Sequence, residues 1–444
     1  MEFDQLFLEA GNRWNLEKLY GDLATAKQAV TPHKKPGLTA IEQARTRGLL
    51  LGYSPAEIAQ IQYATAKTVE VALSQTLYRY VEVVVGRDRN SLSGWRDVAD
   101  WLQQAGYRSV SQEINWNQVP DVAVFYGRET ELQQLQDWMS ATVNVDRPCR
   151  VVAICGPGGI GKTTLTVQVT QQLRSQFECV IWQSLRHAPS LEDVLQDWLS
   201  QLDLAVEGAV HDQISVLLEY LRCRPCLIVL DNLDSVSRRG DFAGHYQPGY
   251  EAYGDLLRRL GEEPHQSCLL LNSREATKEI VILAGPQRAV RCLDLEGLGD
   301  AAAAILREAS LSGENYWKQL IRIYRGNPLV LKIVASNIRE MFDGSVTAFL
   351  KQRITLIASD ISYLVEQQVQ RLSAAEQTVL YRLSESSQPI DIDQLNLQDS
   401  PESFQALGSL LRRSLIEKSV AGFTLRPVVM EYVRQIRKAQ GGDA

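Results

Sequence analysis

The residues with the clearest chemistry lie between Val151 and Thr164: an apolar run, Val-Val-Ala-Ile-Cys, then Gly-Pro-Gly-Gly-Ile-Gly-Lys-Thr-Thr. A short apolar run with β-branched residues reads as a buried strand. Gly156, four residues, then Gly161-Lys162-Thr163 complete the G-x-x-x-x-G-K-[ST] spacing. Gly156, Gly158, Gly159 and Gly161, with Ile160 among them, let successive backbone N–H groups turn inward around a phosphate. Lys162 can reach the β- and γ-phosphates, and the Thr163 hydroxyl, followed by Thr164, can ligate Mg²⁺. The N-terminus of the helix that follows adds its positive dipole end. Further on, Cys226-Leu-Ile-Val-Leu-Asp231 is an apolar strand ending in a carboxylate, the placement needed to hold Mg²⁺ through water at the edge of a parallel sheet. Another such strand, Cys268-Leu-Leu-Leu-Asn272, runs into Ser273-Arg274, where an arginine can face a γ-phosphate. These residues read as a nucleotide site.

The elements that must position them follow from the totals and the punctuation. A chain of 444 residues exceeds one compact core, so two to four domains are expected. With 45% hydrophobic and 22% charged residues it has the composition of an ordinary globular protein. A formal net charge of −7 argues against nucleic acid coating the whole surface. Seven cysteines scattered through apolar runs suit reduced thiols and a cytoplasmic location better than a disulfide framework. Cys223-Arg-Pro-Cys226 leads straight into an apolar strand and reads as core packing rather than redox chemistry. No apolar run approaches the ~20 residues of a membrane span, the first residues lack the basic region of a secretory signal, and the five histidines lack metal-ligand spacing.

Residues 1–35 read as an acidic amphipathic helical segment, and 36–90 as a compact helical module. Within it, Thr39-Ala-Ile-Glu42 and Ser54-Pro-Ala-Glu57 are capping boxes, and Thr65 opens a helix with the stripe Val69, Leu73, Leu77. Three helices with tight turns suggest a helix-turn-helix, yet residues 30–90 hold only eight Lys/Arg against five Asp/Glu, and the third helix offers only Lys67 near its start. A protein contact is as good a reading there as DNA. Residues 91–119 read as a linker in which Trp95, Trp101 and Trp116 anchor domains. Strands alternating with helices between 120 and 292 imply a parallel sheet covered on both faces, an α/β class. Beyond it, Gly326-Asn-Pro-Leu starts a helix, Ser373-Ala-Ala-Glu376 is a third capping box, and Leu415 to Leu425 reads as a β-hairpin around Gly422.

Gly127-Arg128, the phosphate loop, the Asp231 strand end, Ser273-Arg274 and Arg325-Gly326-Asn327-Pro328-Leu329 occur in the order found in NB-ARC proteins, which the stretch from Pro120 to about Gln440 resembles. These belong to the STAND class of signal-transduction P-loop ATPases, whose members include plant disease-resistance proteins and apoptosome ATPases. The first module resembles the helix-turn-helix domain that precedes NB-ARC regions in bacterial, particularly cyanobacterial, proteins. The resemblance implies an NB-ARC α/β domain over 120–292, a helical domain over 293–366, a winged helix over 367–440 and a tail over 441–444. It also implies nucleotide contacts from Phe125, Gly127, Arg128 and Pro328, the last against adenine. Two departures stand out. A second acidic residue often follows the strand-end aspartate in the family as the base for water attack; here that position is Asn232, with Asp234 as a stand-in. The family's closing Met-His-Asp phrase aligns with Leu425-Arg426-Pro427, so Arg426 takes the place of a phosphate-sensing histidine.

The function expected is a switch that is closed with ADP and opens on exchange for ATP to self-associate or engage an unidentified sensor or effector. Lys162, Asp231 and Arg274 would support at most a slow ATPase that resets it. A DNA-binding transcription regulator and a scaffold that never hydrolyses its nucleotide are the competing readings, and a metabolic ATPase ranks below them. Relatives often carry C-terminal sensor repeats, but no 20–50-residue period is visible here.

Overall fold

The computed structural model describes residues 3, 6–8, 10–107, 119–140, 149–204, 208–352, 359–395 and 401–439. The chain divides into two compact units, Met1–Gln112 and Glu113–Ala444. Among the described residues no helix is long and apolar enough to cross a membrane.

The first unit is helical. Both anticipated capping boxes form: the Thr39 and Ser54 hydroxyls accept from the Glu42 and Glu57 amides, and each carboxylate returns to the cap backbone. Val69, Leu73 and Leu77 are all buried, but not on one helix. The chain breaks at Thr76, whose hydroxyl donates to the Ala72 carbonyl at 2.6 Å, so Ala66–Gln75 and Leu77–Val84 are separate helices. The N-terminal segment joins the same core. Lys27, on the Leu16–Val30 helix, is buried and reaches Glu42 at 2.8 Å. Part of the stretch expected to be a linker is also structural: Trp95–Gln104 is a helix with Val98 and Leu102 in that core. Trp95 and Trp101 pack against the unit's own apolar cluster, with Arg87 4.2 Å over the Trp101 ring. Trp116 lies outside the described residues.

The second unit is built on a five-stranded parallel sheet, order β2-β3-β4-β1-β5, of Val151–Cys155 (β1), Cys179–Ser184 (β2), Cys226–Asp231 (β3), Cys268–Ser273 (β4) and Val290–Asp294 (β5). Alternate residues of β1 serve different faces. Val151, Ala153 and Cys155 enter one apolar cluster, and Val152 and Ile154 the other. Burial on both faces makes the inner strands continuous apolar runs. Edge strand β5 has only Val290 buried, so its Val-Arg-Cys-Leu-Asp carries no such run. The sheet aims the carboxyl ends of β1, β3 and β4 at one crevice, where doubly wound sheets bind ligands.

After β5 the chain turns into helices Ala303–Glu308, Trp317–Ile323, Pro328–Met341 and Val346–Lys351. Two backbones cross here: a side chain on Gly297 would strike the Arg325 carbonyl, and the Leu298 amide donates to Gly326 O at 2.9 Å. That contact holds Asn327 beside the phosphate loop. The remainder comprises helices Ser359–Val369, Ala374–Ser384, Pro401–Arg412 and Pro427–Ala439 with the antiparallel pair Ile416–Ser419 (β6) and Gly422–Leu425 (β7). All seven cysteines are free thiols. Cys226 is in the strand core and Cys223 is exposed.

Candidate phosphate-binding site

The phosphate loop leaves β1 at Gly156 and enters the Lys162–Leu173 helix at Gly161. Gly156, Gly159 and Gly161 have φ of 151°, 75° and 100°, values that glycine alone adopts readily. Around Gly161 a Cβ would meet nothing within 4 Å, so the loop is open there. The first-turn amides of the helix, including those of Lys162, Thr163 and Thr164, have no intrahelical acceptor. Open space lined by unpaired N–H groups at a helix start fits a polyphosphate.

Lys162 Nζ donates back to the carbonyls of Gly156 (2.8 Å) and Pro157 (3.1 Å). Burial pushes this amine down to about 8, and the Arg274 charge adds to the shift, while Asp234 opposes it. The Thr163 hydroxyl donates to Asp231 Oδ1 at 3.0 Å. Two amides fix the same carboxylate, Asn272 Nδ2 at 2.9 Å and Asn232 Nδ2 at 3.1 Å. Thr166 Oγ1, 2.8 Å from Asn272 Oδ1, orients that amide. Asn272 is therefore part of the site, although in the sequence it looks like the polar end of an apolar strand. Thr163 and Asp231, the latter fixed by the Asn272 amide, offer oxygens that can hold a hard divalent cation beside phosphate.

Asn232, the departure from two consecutive acids, is in the left-handed region (φ 63°) and turns the chain so that Asp234 faces inward. Asp234 is already engaged by neighbouring cations. Its Oδ1 accepts from the Arg274 amide at 3.2 Å, and its Oδ2 faces Arg274 Nε (3.4 Å) and Arg371 Nη1 (3.0 Å). The carboxylate anchors two arginines. Arg274 itself lies near the phosphate loop: its Cζ and Nε are 3.9 Å from where a Cβ on Gly158 would stand.

Arg128 is buried in the left-handed region at the start of the Glu129–Met139 helix. It pairs with Glu131 at 2.6 Å and donates to the carbonyls of Ile160 (3.1 Å) and Glu296. It thereby ties the phosphate loop to the exit of β5. Gly127 admits no side chain, because a Cβ would lie 2.7 Å from Ala301 Cβ. Phe125 packs, half-buried, on the sheet.

Three segments that are distant in sequence meet over the loop. Asn327 accepts from the Leu329 and Val330 amides, capping its helix, and donates Nδ2 to Gly158 O at 3.0 Å. Pro328 occupies the first turn of that helix, half-buried. Arg426 comes from the start of the last helix, with Nε 3.8 Å from Glu417. Burial lowers its affinity for its proton. Pro157, Gly158, Tyr324, Asn327 and Arg426 enclose a cavity of about 70 Å³, while Gly156 and Arg426 also border a larger one of about 660 Å³.

Beside the site runs a buried ladder of alternating charge. Glu275, next to Arg274, faces Arg371 Nη2 at 3.6 Å and Arg413 Nη1 at 2.5 Å. Arg413 Nε reaches Glu376 at 2.9 Å, and the Ser409 hydroxyl donates to the same Glu376 oxygen at 2.6 Å. Glu376 also closes its predicted capping box with Ser373. The box is visible in the sequence; the second use of its carboxylate is not.

Residues 128–237 match the NB-ARC domain. An uncharacterised WD repeat-containing protein of Nostoc sp. is 39% identical over 360 residues, which cover 76% of this chain and 28% of that protein. The chain thus spans little more than a quarter of that relative's length. A disease resistance protein of rice (Oryza sativa subsp. japonica) is 35% identical over 91 residues, 19% of this chain and 8% of that one. The crystal structure of a STAND protein with a tetratricopeptide repeat sensor from Pyrococcus horikoshii aligns with 72% of this chain and 44% of its own, at 21% identity and a TM-score of 0.37.

Proposed function

We infer from the NB-ARC domain this chain carries that it is a nucleotide-controlled signalling switch of the STAND kind, closed with ADP and opened by exchange for ATP. One observation supports the reading above the others: the phosphate loop, Asn327 and Arg426, from three parts of the second unit, border one small cavity. At about 70 Å³ it is well below the ~300 Å³ at which ligand pockets begin. A nucleotide that reached from the loop into this cavity would part or bridge these segments, and its identity would be felt by all three. Residues 293–366 would act as the helical domain and 367–440 as the winged helix, with 36–90 a helix-turn-helix for a partner.

In this reading Lys162 and the loop amides hold the phosphates, Thr163 and Asp231 would hold Mg²⁺, and Arg274 reads a third phosphate by leaving Asp234. Mg²⁺ would supply charge neutralisation between phosphate oxygens. With Asn232 amidated and Asp234 engaged, hydrolysis is at most a slow reset. A switch also requires that the two nucleotides favour the two arrangements unequally. The test is to identify the nucleotide that co-purifies with the full chain and to compare its radius of gyration with ADP and with ATP. Retained ADP and expansion with ATP are expected; an empty site, or equal dimensions with both, overturns the reading.

Two further results are expected. Arg426→Ala should weaken ADP binding about tenfold, the value of one charge-assisted hydrogen bond, and unchanged affinity by calorimetry would remove Arg426 from the site. A phosphate beside Lys162 raises the amine above its value of about 8. Binding should therefore take up a proton above that pH. Affinity should fall by up to about tenfold per unit as pH rises past 8 and be flat below it as far as Lys162 is concerned. Calorimetry in buffers of different ionisation heat measures the uptake, which Lys162→Met should abolish.

A further inference from the structure

Cys155, Cys292 and Asp294 stand together on one face of the sheet, and Cys292 and Asp294 form part of the wall of the 660 Å³ cavity. The register explains why. Cys155 of β1 lies opposite Asp294 of edge strand β5, and Cys292 is two residues earlier on the same face as Asp294. Their ligand atoms are all within 4.8 Å of one another, and the two sulfurs are 3.8 Å apart. Two thiolates each ~2.3 Å from one tetrahedral zinc lie about 3.8 Å apart, whereas a disulfide needs ~2.05 Å.

We propose that Cys155, Cys292 and Asp294 form a binding site for a thiophilic divalent cation of the zinc type, with its fourth position open to the cavity. Two soft sulfurs and one carboxylate select zinc-like ions over magnesium or calcium. Asp294 is exposed, so its carboxylate can rotate to close the remaining distance. Cys292 and Asp294 line the cavity, which gives the ion and a water their entry. Cys155 supplies the buried floor, at 2% exposure. Binding exchanges two S–H bonds for two metal–sulfur bonds and releases two protons; no electron moves. The ion would cross-link the residue before the phosphate loop to the strand that leads, through Leu295–Gly297, into the helical segment.

Cobalt(II) is the probe. The full chain, reduced and stripped with chelator, is titrated without nucleotide or magnesium. One equivalent should bind with thiolate-to-cobalt charge-transfer absorption and the strong visible bands of a tetrahedral site. Cys292→Ser should abolish the charge-transfer signal, and Asp294→Asn should weaken binding about tenfold or more. Cys223→Ser should leave it intact. Circular dichroism and melting of the Cys292→Ser protein check that its fold survives. Absence of tetrahedral cobalt at stoichiometric concentration overturns the site, as does a signal that persists in Cys292→Ser. Isolation of Cys155 and Cys292 as a disulfide under non-reducing conditions would also overturn it, in favour of a redox pair.

Discussion

An Arg413→Met protein is expected to lose the packing of its last helices against the sheet. Arg413 bridges the carboxylates of Glu275 and Glu376, which are 1% and 0% exposed, at 2.5 and 2.9 Å. It also donates to the Asp241 carbonyl at 2.6 Å. Removing the cation takes the closest charge partner from both buried acids, leaving Arg371 at 3.6 Å from Glu275, the Ser409 hydroxyl and Ser373 amide on Glu376, and Arg412 acting on both from farther off. Breaking a buried pair in this way costs about 3–5 kcal/mol, far more than an exposed one. The cheapest escape is to hydrate both acids by swinging the region from Arg371 to Ala439 off the sheet. Small-angle scattering should show the expansion, and calorimetry should resolve a second, earlier melting transition. A variant as compact and as stable as the parent would show that the ladder carries no such load. The combined change Arg413→Met, Glu275→Leu, Glu376→Leu is the control. Replacing the ions together with apolar groups of similar size should restore most of the stability, because no charge is then left unpaired.

Lys162→Ala should lower affinity for either nucleotide by roughly 100- to 1000-fold, or about 3–4 kcal/mol, the cost of taking one partner from a buried charge pair. The fold should survive, since Lys162 spends its hydrogen bonds on two carbonyls of its own loop. Equilibrium dialysis against ADP and ATP, with circular dichroism alongside, separates the two effects. A loss of less than tenfold for both nucleotides would mean the phosphates lie elsewhere.

How far the sequence announces these features depends on how local their causes are. The phosphate loop is legible because its glycines answer a backbone demand that few other residues can meet, as Gly159 and Gly161 show with φ of 75° and 100°. The inner strands are legible because burial on both faces leaves an apolar run; β5, with one buried residue, leaves none. Thr76 breaks a helix whose apolar stripe runs on through the break, because its hydroxyl competes locally with the backbone. The tryptophans at 95 and 101 look like linker anchors because the apolar cluster they pack on is built largely from helices earlier in the chain. What is not legible is pairing at long range. Glu275 and Arg413 are 138 residues apart, and nothing near either one names the other. The roles of Asn272 and Asn327 in the site depend in the same way on atoms of distant segments, Asp231 and Gly158.

The narrow cavity over the phosphate loop also governs time. Asn327 on Gly158 and the Leu329 amide on Gly159 O at 3.3 Å lie across the loop, and in the proposed switch a nucleotide would settle on it as these contacts part. Association should then be limited by how often the loop uncovers rather than by diffusion. Departure of a bound nucleotide waits on the same event. In the proposed switch the residence of a nucleotide would be set by the lifetime of these few contacts, and a partner that pried Asn327 loose would shorten it without touching the phosphates.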